Sequence, residues 1–176
     1  YIIIELEQQK LFLQLIISKK QKNKETMLEK EITLFTNGLR FAQDEFFLDS
    51  INDFNKLVDD YPDSELVDDA LYNIGLCYFS MLQFEKAIRL FEKVITDYPD
   101  ATISILDGGN EFGKTAAKCH YAIVNCYLAL NELDNAKKVL DKLKIFTESY
   151  ILVEEKKITF HQFTERAIKI YAKTNN

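Results

Sequence analysis

The chain has 176 residues, a hydrophobic fraction of 47%, a charged fraction of 28%, two prolines and five glycines, which fits one compact, largely helical array. A net charge of -6 counts against a nucleic-acid binder, which needs a basic face to displace counterions from phosphates. Apolar runs at Ile2–Ile4 and Leu11–Ile17 are interrupted by Glu5, Glu7 and Lys10, so no segment reaches the ~18–20 apolar residues of a membrane-spanning helix.

Residues 1–20 read as an amphipathic helix carrying Ile3, Leu6, Leu13 and Ile17 on one stripe. Lys10 interrupts the heptad, which favours a packed N-terminal helix over a coiled coil. Lys19, Lys20, Lys22 and Lys24 follow the apolar run, the reverse of the order in a signal peptide. Residues 21–26 are polar, either a break or an exposed helical turn, and 1–32 is taken as a unit leading into the array.

From Thr33 a pattern repeats. The first unit (33–63) runs Leu34-x2-Asn37-Gly38-x2-Phe41, then Ser50-x3-Phe54, then Pro62. The second (68–100) runs Leu71-x2-Ile74-Gly75-x2-Tyr78, then Ala87-x3-Phe91, then Pro99. The third (115–144) runs His120-x2-Ile123-Val124-x2-Tyr127, then Ala136-x3-Leu140. Tyr61-Pro62-Asp63 recurs as Tyr98-Pro99-Asp100, 37 residues on, with a phenylalanine eight residues before each proline. Large, small and aromatic residues at these offsets lock two helices into a hairpin that must stack on copies of itself to bury its apolar face. Proline ends the second helix, and Ser64 and the aspartates around it offer caps to the next helix. The acidic cluster Asp59, Asp60, Asp63, Asp68 and Asp69 reads as a solvated loop and helix start. Residues 145–176 are expected to hold a degenerate fourth hairpin or capping helices, with Glu154–Lys157 as an exposed helical turn.

These residues resemble the tetratricopeptide repeat, most closely in the second unit, where Leu71 stands in a place often held by tryptophan. The Tyr-Pro-Asp endings and the Asp68–Tyr72 start resemble the branch that includes bacterial outer-membrane-assembly and Tol–Pal-associated proteins. The resemblance implies an all-α, right-handed superhelix of about three hairpins. It implies a non-catalytic adaptor or scaffold that binds protein partners, without a cofactor. It also implies a bacterial envelope location, against which the free thiols favour the cytoplasm. Assembly into a larger complex as a structural subunit is the alternative.

By the same resemblance, the second stripe of each first helix lines a concave groove. The positions are Phe35 and Leu39; Asp69, Tyr72, Leu76 and Phe79; and Lys118, Tyr121, Asn125 and Leu128. The alternative is that the stripe packs against the chain's own helices. Lys118, Asn125 and Asn73 are only fragments of the family's clamp for peptide carboxylates, so an acidic C-terminal peptide is not the expected ligand.

An insertion at 101–114 separates the second and third units. Within it, residues 108–115 satisfy the phosphate-loop pattern GxxxxGK[ST], which would place Lys114 on terminal phosphates and Thr115 on magnesium. Ile151–Glu154 would supply a crude metal-binding strand end. A phosphate loop works inside a parallel sheet, and no further βα units exist here to build one. The expected role is therefore a Gly-rich loop over one rim, with Asp107, Asn110 and Phe112 offered to a partner. A nucleotide-dependent enzyme ranks third among the functions. His120 is a core residue of its repeat, His161 stands apart from any catalytic partner, and no Cys/His metal spacing occurs. Cys119 and Cys126 share a helix ~10 Å apart along its axis, beyond disulfide reach, so buried free thiols are expected.

Overall fold

The computed structural model describes residues 2–104, 106 and 109–174; over 2–18 and at 20 it describes the backbone alone. Helices dominate. A long α1 (Ile2–Gln43) pairs through its C-terminal part with α2 (Phe47–Asp60). Then α3 (Val67–Ser80) pairs with α4 (Phe84–Asp97), and α5 (Thr115–Ala129) with α6 (Leu133–Lys142). Residues 21–26 continue the helix without a break. Each hairpin also packs on the next, as a solenoid requires.

Three turns inside the hairpins share one geometry. The N–H of Phe46, Gln83 and Glu132 donates to the carbonyl of Phe41, Tyr78 and Tyr127, at 2.8, 2.8 and 2.7 Å. The N–H of Glu45, Leu82 and Asn131 reaches Ala42, Phe79 and Leu128. This double closure is the Schellman motif, whose penultimate residue must adopt the left-handed conformation. Glu45, Leu82 and Asn131 do so at φ 63, 60 and 61. The second helices also end alike. Tyr61 and Tyr98 leave the helix at φ -133 and -128 while still donating to Leu57 and Val94, because a following proline disfavours helical backbone.

The hairpins close tightly because the first helix offers a hydrogen where the second offers a ring. A Cβ on Gly38 would lie 2.7 Å from the Phe54 ring, and one on Gly75 would lie 2.5 Å from Phe91. In the third unit the bulk is redistributed, with Val124 and Leu140 at the two positions and Val124 fully buried. The small residues Ser50, Ala87 and Ala136 are all inaccessible, and the Ser50 hydroxyl donates to the Gly38 carbonyl across the interface at 2.8 Å. The continuous core runs through Phe35, Phe54, Leu57, Phe91, Val94 and Cys126 to Ile168.

The C-terminal region departs from the helical expectation. After a 3-10 turn (Leu143–Ile145), the chain forms β2 (Tyr150–Val153) and β3 (Lys156–Thr159), a hairpin rather than helices. Glu154 and Glu155, expected in a helical turn, are its two loop residues at φ 48 and 64, the positive values of a type I′ connection. One helix, α7 (Phe160–Thr174), then closes the stack with Phe160, Thr164 and Ile168 inward. The insertion contributes β1 (Glu111–Phe112), which pairs antiparallel with β2 and completes a three-stranded sheet. Its base is pinned by the Thr102–Lys114 bridge, by Ile103 N–H to Gly113 O and by Thr115 N–H to Ala101 O. Gly113 sits at φ 109, where a Cβ would be 2.4 Å from Ser149 Oγ; that same hydroxyl accepts the Lys114 N–H. A second, smaller core of Ala117, Leu143, Ile151 and Phe160 lies beneath this sheet.

Candidate partner-binding face

The ten positions expected to line a groove divide by their place within each repeat. The earlier ones in each repeat (Phe35; Asp69 and Tyr72; Lys118 and Tyr121) are engaged by the chain itself. Phe35 and Tyr72 are buried against the aromatics of their own second helices, with ring centroids 5.6 Å (Phe54) and 5.3 Å (Phe91) away. Asp69 is fully buried and its Oδ2 accepts the N–H of Ser104, from the insertion. Lys118 is almost wholly enclosed: its ammonium lies 3.2 Å from Glu111 Oε2 and 4.3 Å over the Tyr72 ring. Tyr121 meets Phe160 and Phe163 of α7 at 6.1 and 5.6 Å.

Positions towards the helix C-termini stay accessible. Leu39, Leu76, Phe79, Asn125 and Leu128 are all half-buried; the four apolar ones rest on the main core and show their outer surface to solvent. Phe79 is steadied edge-on by Phe84 at 5.3 Å. Beyond them lie the exposed turn residues Phe46 and Leu82. Of the insertion residues, Asn110 and Phe112 are exposed. Phe112 stacks on Tyr150 at 5.3 Å, and Asp107 lies outside the described residues.

The phosphate-loop pattern folds into something else. Glu111 and Phe112 are in a strand, so their N–H groups do not converge on an anion. Lys114 Nζ donates to the Asp100 carbonyl at 2.8 Å and sits 3.6 Å from its carboxylate, while Thr115 is fully buried at the start of α5. The His120 ring packs on Phe146 at 5.8 Å. Burial, aided by nearby Lys142, lowers its pKa to about 4, so the imidazole is a neutral core group near pH 7. Burial pushes the thiols of Cys77 and Cys119 up and that of Cys126 to about 12; all three are free and enclosed. A cleft of about 780 Å³ lies between the approach to α3 and the root of the insertion, with Glu65, Asp68, Asp97 and Asp100 in its walls. Among the described residues, no group of three His, Cys, Asp or Glu is placed to hold a metal ion, and no helix is long and apolar enough to cross a membrane.

Sequence reasoning missed Ser104, Glu111, Phe160 and Phe163 as neighbours of Asp69, Lys118 and Tyr121. The aromatics at 160 and 163 form an i, i+3 pair that signals a buried helix edge. Nothing local marks Ser104 or Glu111, whose partners are 35 and seven residues away across a loop.

Family models of the tetratricopeptide repeat match residues 69–101 and 117–144. No curated protein matches the chain in sequence. Among solved structures, the tetratricopeptide-repeat domain of Arabidopsis FLU is similar at 19% identity and TM-score 0.51, over 65% of this chain and 91% of that one. The Hsp90 co-chaperone Cns1 from Saccharomyces cerevisiae is similar at 14% identity and TM-score 0.59, over 83% of this chain and 40% of the co-chaperone. PcrH, solved in complex with the chaperone binding region of PopD, is similar at 14% identity and TM-score 0.51, over 86% of this chain and 96% of that one. The fold is therefore the helical superhelix of tetratricopeptide repeats.

Proposed function

We propose that this array of tetratricopeptide repeats is a non-catalytic adaptor whose partner segment lies across the C-terminal halves of α1, α3 and α5. The observation that carries this reading is the division of the inner face: Leu39, Leu76, Phe79 and Leu128 remain half-exposed beside Asn125, where the neighbouring positions are filled. Successive first helices repeat that apolar strip, a preformed surface for an extended or helical segment with apolar anchors. The likeness to PcrH, a chain solved with a segment of another protein, agrees with this use of the fold. A photoreactive side chain at Leu39 should capture the partner, and Leu76→Glu or Leu128→Glu should abolish capture while the cooperative melt is kept. Equal capture from Arg89, exposed on α4, would sink the proposal.

A second reading, a subunit buried in a larger assembly, draws on α1. Residues 21–30 are exposed throughout, Met27 and Leu28 among them, and a helix this bare is marginal in water. Stoichiometric crosslinking from Met27 in native complexes, with none from Leu39, would favour it. The finer placement in the bacterial outer-membrane-assembly and Tol–Pal branch is supported by the paired Tyr-Pro-Asp turns. Recovery of the native protein in the cytoplasmic fraction would overturn that placement.

A further inference from the structure

The last helix carries the apolar strip beyond the three repeats. On α7, Phe163, Ala167 and Ile170 stand at i, i+4 and i+7, in one column. The Phe163 ring meets Tyr121 at 5.6 Å, and the Tyr171 hydroxyl reaches Asn131 Oδ1, just past the end of α5, at 2.8 Å. Two contacts in the same order along both helices lay α7 parallel to α5, so this column runs beside Tyr121, Asn125 and Leu128. Phe163 and Ala167 are half-buried, and Ile170 is 64% exposed. Charge separates the strip from its rim. Residues 36–43, 73–80 and 122–129, the C-terminal halves of α1, α3 and α5, hold one charged side chain, Arg40, in a chain that is 28% charged. Arg40 is drawn to Asp44 at 3.6 Å and over the Phe41 ring. The turn segments that follow, 44–49, 82–87 and 131–136, hold exposed Asp44, Glu45, Asp49, Glu85, Glu132 and Asp134 against the single Lys86. Arg40 and Lys137 offset Asp44 and Asp134; among the described ion pairs none offsets Glu45, Asp49, Glu85 or Glu132. Stacked hairpins bring equivalent turns to one edge, so an uncharged floor is bordered by an acidic rim.

We propose that the groove extends onto α7, with Ile170 as a further contact, and takes an amphipathic partner segment whose apolar face is uncharged and whose flank towards the hairpin turns carries lysine or arginine. This inference rests on the groove reading above and names the partner's chemistry. A carboxylate or ammonium set on the floor would lose water and meet no opposite charge, which rejects segments charged on their apolar face. The rim sorts the remainder, because Glu45, Asp49, Glu85 and Glu132 repel an acidic flank and draw in a basic one.

The probe is a fluorescein-labelled peptide of leucine and lysine at helical spacing, followed by anisotropy with the full chain. One control peptide has glutamate in place of lysine, and a second has serine in place of leucine. The leucine–lysine peptide should bind at least about tenfold more tightly than either control. Ile170→Asn should weaken that binding severalfold, whereas Ile145→Asn, at a 78% exposed site on the 3-10 turn, should leave it unchanged. Glu45→Lys combined with Glu132→Lys should remove the preference for lysine over glutamate. These side chains are exposed, so the variants should keep the native cooperative melt. Equal weakening by Ile145→Asn and Ile170→Asn would overturn the proposal, as would binding that follows lysine without regard to leucine, or tighter binding of the glutamate peptide. Dimerisation of the native chain that Ile170→Asn abolishes would give the site to a second copy and overturn the partner assignment. Capture from Leu39 that is unchanged by Ile170→Asn and by the reversed rim charges would keep the groove and sink this extension of it.

Discussion

Leu82 occupies the left-handed position of its turn with its side chain 74% exposed, so it holds a conformation disfavoured by its Cβ and gains little packing in return. Leu82→Gly should therefore stabilise the protein by about 1 kcal/mol in urea denaturation, the relief of strain exceeding the extra chain entropy of glycine. Asn131→Gly should gain less, since asparagine tolerates that conformation and its Oδ1 accepts the Tyr171 hydroxyl at 2.8 Å. His120 carries a different consequence. Its pKa falls from 6.5 to about 4 on folding, chiefly through burial and then through Lys142. Above pH 6.5 both states are neutral; between 6.5 and 4 the unfolded chain takes up a proton that the folded chain refuses. Stability should therefore fall as pH drops through that window, by about 2–3 kcal/mol from this residue. Denaturation curves at pH 7 and pH 4.5 should show a smaller loss in His120→Leu than in the native protein.

Within a hairpin, the glycine and the ring form one unit split between two helices. Gly75→Ala would place a methyl group 2.5 Å from Phe91 and should cost about 1–3 kcal/mol through overpacking. Phe91→Leu alone should also destabilise, by opening space in a fully buried site. Combined, they approach the Val124 and Leu140 arrangement of the third unit, so the double variant should be more stable than the sum of the single losses predicts. Additive losses in a double-mutant cycle would refute this coupling. The same reasoning accounts for a third repeat without its glycine: the ring has shrunk to an isobutyl group, and the first helix fills the space.

Across the whole molecule, two cores and three enclosed thiols report on global opening. Cys77 and Cys126 belong to the main core beside their repeat aromatics, and Cys119 is fully buried at the foot of α5. Native protein should give essentially no reaction with a disulfide reagent at pH 8, and all three thiols should react once the chain is unfolded in guanidinium. Rapid reaction of Cys126 alone in native protein would show that α4 and α5 separate locally. Because the insertion, the hairpin and α7 share the small core, unfolding of that end should be sensed first at residues such as Tyr121 and Phe160.

Repeats, turns and the hairpin interface were legible in the residues, because each is set by contacts between positions a fixed distance apart in the chain. Leu71, Gly75, Tyr78, Ala87, Phe91 and Pro99 specify their hairpin locally, and the second copy of that pattern specifies stacking. The C-terminal β-hairpin was less legible: Glu154-Glu155 lacks the glycine or asparagine that marks such turns, and lysines beside glutamates imitate a helical surface. Which of the expected groove positions stay accessible was decided only by the tertiary structure. Ser104, Glu111, Phe160 and Phe163 reach Asp69, Lys118 and Tyr121 from segments whose paths no local periodicity sets. The contacts of those positions depend on where an insertion and a cap come to rest, a long-range outcome of packing. The open strip at Leu39, Leu76, Phe79, Asn125 and Leu128 is what that packing leaves.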